Sequence, residues 1–190
     1  MEFTDQQRSA LLDLAYQTIV QYLTTRQTQT PQITDPALSQ PCGAFVTLHR
    51  QGDLRGCIGH IIADQPLYQI VQQMAVSAAM YDPRFDSMSM SETDDLDVEI
   101  SVLSPMQTIT NPEELVVGTH GILITKSGHR GLLLPQVATE RKWDRYTFLE
   151  AVCQKAGLPH GSWKHGAQLQ VFSAVIFSKH FHHAHANDAR

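Results

Sequence analysis

The chain carries the same short signature twice. GAFVT at residues 43–47 returns as GILIT at 121–125, and the Arg55-Gly56 pair after the first copy returns as Arg130-Gly131 after the second. Each copy reads as a hairpin, then a helix, then a strand. Two copies are too few for a solenoid, which covers each hydrophobic face with a stack of neighbours. A twofold repeat of this kind demands two similar α+β units that share a core or join one sheet. At 190 residues the chain has room for one domain built that way.

The first unit spans about residues 43–104. GAFVTLHR and DLRGCIGH flank Gln51-Gly52, where glycine supplies the positive φ of a tight turn. A helix over 65–80 follows, with Leu67, Ile70, Val71, Met74, Ala75 and Ala78 on one side. Tyr81, Asp82 and Pro83 end it, because the position before proline disfavours α geometry. Residues 97–103 alternate as a strand, Val98, Ile100 and Val102 on one face and Asp97, Glu99 and Ser101 on the other. The second unit, about 118–178, holds a hairpin three residues shorter, a helix over 144–156 closed by Gly157 and a strand over 168–177. Ahead of both, residues 4–23 read as an amphipathic helix opened by a Thr4/Gln7 capping box, and 24–42 as a proline-bearing loop. The expectation is a single α+β domain over 1–180, its duplicated hairpin-helix-strand units forming one mixed, barrel-like sheet with flanking helices. Residues 181–190 follow as a disordered histidine-rich tail.

The first hairpin concentrates chemistry. Strand alternation sets Arg55 and Cys57 on one face and Leu54 and Ile58 on the other. A guanidinium near a thiol favours the thiolate. Gly56 and Gly59 let a ligand or another backbone approach closely, and exposed amides there stabilise an oxyanion. The competing reading of Cys57 is packing, since a free cysteine behaves as a small buried hydrophobe. The second unit has Leu132 at the matching position, so the architecture does not demand cysteine, and the slot accepts an apolar side chain. A nucleophile needs a base. His49, His60, His120 and His129 are the candidates: His60 faces away from Cys57 along a regular strand, and His120, just ahead of GILIT, would act through approximate twofold packing of the two units. Arg84 in YDPRF offers a bidentate guanidinium to a carboxylate or phosphate, or pairs with Asp82 in a helix-ending turn. Gln136, after the Leu-Leu-Leu-Pro run, is placed to hydrogen-bond a ligand or backbone.

Other classes are disfavoured. A net charge of -5 argues against nucleic-acid binding. MEFTDQQRSA has no basic segment followed by an apolar core, and no apolar run is long enough for a bilayer, so no membrane role and a cytoplasmic location are expected. Cys42, Cys57 and Cys153 form no C-x-x-C pair. Cys57-x-x-His60 lacks a second ligand pair, and phosphate-loop motifs are absent, so neither metal nor cofactor is expected.

GAFVTLHRQGDLRGCIGH, DPRF, VEISVLS, HGILI, GLLLPQVA and FLEAVCQKAGLP with Trp163 resemble the AMMECR family, also called AmmeMemoRadiSam system protein A, over about residues 8–178. The hexapeptide at 54–59 is that family's signature. The resemblance implies an α+β fold of two related units in one barrel-like sheet. It implies two partners, a Memo-like protein and a radical S-adenosylmethionine protein, and no established reaction. His120 fits the family pattern, while His60 and the tail lie outside it. The expectation is therefore a cytosolic enzyme or enzyme-system component acting on an unidentified small molecule. Cys57 serves as nucleophile or substrate-tethering thiol and His120 as base, with Arg55, Gly56, Gly59, Arg84 and Gln136 binding substrate. The alternative is a non-catalytic adaptor that docks both partners through the same hairpin.

Overall fold

The computed structural model describes residues 2–29 and 31–182. Helix α1 (Asp5–Thr25) begins with the expected capping box: the Thr4 side chain accepts from the Gln7 amide, and the Gln7 side chain accepts from the Thr4 amide. Strands β1 (Ala44–Arg50) and β2 (Asp53–His60) turn through Gln51 and Gly52, at φ of 53° and 85°. Two successive positive-φ residues match the twist of the flanking strands. Helix α2 (Leu67–Met80) and strand β3 (Asp95–Leu103) follow. Beyond a short strand β4 (Gln107–Ile109), the pattern repeats. Strands β5 (Gly121–Lys126) and β6 (His129–Leu133) turn through Ser127 and Gly128, again both at positive φ. Then come α3 (Pro135–Glu140), α4 (Arg145–Lys155), β7 (Gln168–Phe172) and β8 (Ala174–His182). The sequence reading missed α3, whose short run starts with proline in the first turn, a position where the missing N–H costs nothing.

The strands form two sheets, ordered β2-β1-β3-β8 and β4-β7-β5-β6. In the first, β1 lies between its hairpin partner and β3; in the second, β5 lies between its hairpin partner and β7. The duplication in the sequence is thus a duplication of topology. The expected single barrel-like sheet is corrected: among the described residues there are two open four-stranded sheets, each with its own core. One compact unit comprises Met1–Val102 together with β8 from Val175, and the other Leu103–Ala174.

The predicted strand at 168–177 is two strands, and this explains the correction. The break falls at Ser173, whose amide donates to Ser104 Oγ and whose carbonyl accepts from the Ser104 amide, both at 2.9 Å. Leu169 and Val171 enter the second core, with Ile122, Ile124, Phe148 and Val152. Val175, Phe177 and Phe181 pack on the first, with Leu11, Ile19, Val46, Ile70 and Val98. One apolar alternation serves two cores. The predicted tail also starts late, because Phe181 and His182 belong to β8; residues 183–190 lie outside the described residues. Among the described residues, no helix is long and apolar enough to cross a membrane.

Candidate functional site

The turn after α2 organises the LRGCIG hairpin. Asp82 is only 3% exposed. Its Oδ2 accepts from the Cys57 amide at 2.8 Å and from Arg84 Nη2 at 2.7 Å. Its Oδ1 accepts from Arg84 Nε at 2.9 Å and from the Arg84 amide at 3.1 Å. A buried carboxylate needs such donors to replace water. The Arg84 side chain, joined by the Cys57 and Arg84 amides, holds this carboxyl well below the usual carboxylate range despite its burial. Arg84 is raised in return, first by Asp82 and then, among smaller contributions, by the Cys57 side chain beside it. Arg84 also donates to the Cys57 carbonyl at 3.2 Å.

Arg55 is anchored elsewhere. Leu48 pairs with Gly56 while His49 pairs with Leu54, which leaves Arg55 as the extra residue of a β-bulge. A bulge re-aims a side chain that plain alternation would place. Arg55 Nε donates to Glu92 Oε1 at 2.7 Å, and Nη2 donates to the Asp86 carbonyl at 2.9 Å. Both Arg55 and Arg84 lie over the Phe85 ring, at 5.8 and 5.5 Å from its centroid. The guanidinium expected to tune Cys57 thus ties down the 85–92 segment, and it is Arg84 that adjoins the cysteine.

Glu92 makes this anchor sensitive to acid. Burial works to raise its pKa, but the Arg55 guanidinium and the amide and hydroxyl of Ser89 outweigh it and bring the carboxyl down to about 2. A depressed folded pKa contributes stability that is present above the unfolded value and lost as pH falls through the folded one. Wild-type stability should therefore decline from about pH 4.5 towards about pH 2. Glu92→Gln should be less stable at neutral pH and flatter across that window, as urea unfolding at a series of pH values will show.

The two glycines are packing glycines. A Cβ on Gly56 would lie 2.1 Å from the Ala78 carbonyl oxygen of α2, and one on Gly59 would lie 2.2 Å from the Phe45 ring. Cys57 differs. Its side chain is partly exposed, and Thr47 Oγ1 donates to its sulfur at 3.1 Å. Thr47 pairs with Cys57 on one side and Glu99 on the other, so the three residues form a polar row across β2, β1 and β3. The first unit thus brings together Cys57, Thr47, Asp82 and Arg84. Thr47 was missed at the sequence level; its signal was the strand register of the hairpin. Glu92 was missed too, although Ser89 and Glu92 have capping-box spacing and form that motif.

Of the remaining candidates, His60 and His120 are occupied locally. His60 Nε2 is 2.9 Å from Asp64 Oδ1. His120 and Gln136 belong to the second unit. His120 Nδ1 lies 3.1 Å from the Glu114 carbonyl and 3.2 Å from the Val116 amide, closing its own loop. Gln136 Oε1 is buried without a hydrogen-bond partner among the described residues.

A family model described as AMMECR1 matches residues 12–177. A protein of Thermococcus onnurineus is 40% identical over 183 residues, covering 90% of this chain and 89% of that protein. Protein PH0010 of Pyrococcus horikoshii is 39% identical over 183 residues, covering 90% of this chain and 89% of its own. The crystal structure of that uncharacterized protein is similar with a TM-score of 0.89 at 37% identity, covering 94% of each chain.

Proposed function

The chain belongs to the AMMECR1 family, and on that premise we propose that it is a cytosolic enzyme-system component whose working group is the Cys57 thiol. One observation carries the reading. Arg55, Gly56 and Gly59 have architectural tasks, whereas the Cys57 sulfur enters neither core, stays partly exposed and has the Thr47 hydroxyl and the Arg84 side chain as neighbours. A positive charge and a hydroxyl donor are the surroundings in which a thiol works as a nucleophile. Its sulfur adds to a carbonyl carbon of a small substrate, the thiol proton passes to solvent, the carbon–oxygen π electrons move to the oxygen, and the negative charge that develops there faces Arg84. The Arg84 side chain is 53% exposed, so a substrate carboxylate or phosphate has an open guanidinium edge to meet. A second reading, the docking of a Memo-like and a radical S-adenosylmethionine protein, is supported by the exposed Leu54 and Tyr81 beside the motif.

Native alkylation by iodoacetamide, followed by peptide mass spectrometry, tests the first reading. Cys57 should label in the folded protein. Cys42 and Cys153 are buried, and burial pushes both thiols up, so they should label only on unfolding. Arg84→Ala should slow Cys57 labelling several-fold while leaving the two controls unchanged. If Cys57 resists labelling until the chain unfolds, the thiol reading fails. Folded Cys57→Ser protein that loses only partner capture would favour the adaptor.

A further inference from the structure

Strand β8 carries a second group of ionisable side chains, distant in sequence from the hexapeptide. Alternate residues Val175, Phe177 and Phe181 pack on the first core, and the Phe181 ring stacks on Tyr16 at 4.1 Å between centroids. His180 and His182 therefore face the opposite side. The neighbouring strand β3 buries Leu96 and Val98 in the same core and turns Asp95 and Asp97 away from it. Two imidazoles and two carboxylates meet on one face of the sheet.

Their geometry is divided in a particular way. His180 Nδ1 lies 2.9 Å from Asp97 Oδ1, and His180 Nε2 lies 3.6 Å from Asp95 Oδ1. One ligand atom each from Asp95, His180 and His182 falls within 4.8 Å of the others. A histidine whose Nδ1–H is held by a carboxylate presents its Nε2 lone pair in a fixed direction, which is how proteins orient imidazole towards a metal.

We propose that Asp95, His180 and His182 bind a divalent transition-metal ion of the zinc type, with Asp97 as the residue that positions His180. Two imidazoles and one carboxylate suit zinc, cobalt or nickel, whereas calcium and magnesium favour all-oxygen sites. Three protein ligands leave a fourth position open to water or another donor. The ion clips the edge strand β8, which returns from the far end of the chain, to β3. The exposure of His180 and His182 gives the ion a direct route in.

The test is calorimetric titration of the full chain with Zn²⁺ alone, and a parallel titration with Co²⁺ followed by visible absorption. His183 and His185 follow closely in the sequence, so a His183→Ala/His185→Ala variant separates the contribution of His180 and His182 from theirs. The expected result is saturable binding that this double variant keeps and that Asp95→Ala or His182→Ala removes. His182 is exposed at the strand's end, and circular dichroism confirms that its variant is folded. Asp97→Asn should weaken binding by about 10–100-fold. Zn²⁺ at about a hundredfold excess over its dissociation constant should raise the unfolding midpoint by roughly 5 °C in wild type but not in His182→Ala. Absence of saturable binding overturns the proposal, as does binding that survives His182→Ala and vanishes in the double variant.

Discussion

Gly56→Ala is expected to cost the first unit roughly 3 kcal/mol of stability, a large loss for a single methyl group. The new Cβ would sit 2.1 Å from the Ala78 carbonyl oxygen and 3.0 Å from its carbonyl carbon. Both are backbone atoms in the last turns of α2, so no side-chain rotation relieves the contact, and the helix must shift against the hairpin. α2 buries Leu67, Ile70, Val71 and Ala75 in the same core, and a shift disturbs all of them because close-packed interiors transmit strain. Gly131→Ala is the matched experiment in the second unit. There the Cβ would lie 2.6 Å from the Ala156 amide nitrogen and 2.8 Å from the Val152 carbonyl oxygen, and a smaller loss is expected. Gly52→Ala is the control: its Cβ meets nothing within 4 Å, and its cost comes from a φ of +85° alone, about 1 kcal/mol. Urea unfolding of the three variants should give that order. A Gly56→Ala midpoint equal to wild type would mean that the hairpin and helix are not in tight contact.

That paired glycine also shows how far the fold is legible in the sequence. GAFVT, GILIT and the two Arg-Gly pairs reveal the duplication, because each hairpin needs the same small residue where a helix end closes on it. The period of two along 97–103 and the capping box at Thr4 and Gln7 are local signals, and they place β3 and α1 within a residue or two. The partition of strands between sheets is not local. QLQVFSAVIF reads as one strand because both halves alternate. Only the Ser104–Ser173 pairing and the separate burial of Val171 and Phe177 reveal that it serves two cores. At the site, Cys57 and Arg84 stand out by residue type. The switch of Arg55 from Cys57 to Glu92 does not, because a bulge depends on the register of two strands rather than on either alone.

Asp82→Asn should be the most disruptive isosteric change at the site, at about 2–3 kcal/mol. The carboxylate accepts four hydrogen bonds, two on each oxygen. An asparagine keeps one acceptor and turns an NH₂ group towards donors on Cys57 or Arg84, so at least one buried N–H loses its partner. The loss falls at the lower end for a broken ion pair because Arg84 is half-exposed and recovers water. The pH dependence follows from the sign of the shift. The Asp82 carboxyl is held well below its ordinary value near 3.8, so its contribution is fully present above that value and fades as pH falls below it. The gap between wild type and Asp82→Asn should stay constant from pH 7 to about pH 5 and narrow in stronger acid. The same variant reports on function. With the tie between the Cys57 amide and Arg84 weakened, alkylation of Cys57 should lose its dependence on Arg84, so adding Arg84→Ala to Asp82→Asn should slow labelling no further. Additive slowing in the double variant would show that Arg84 reaches the sulfur without Asp82 to hold it, and that the carboxylate is a structural tie alone.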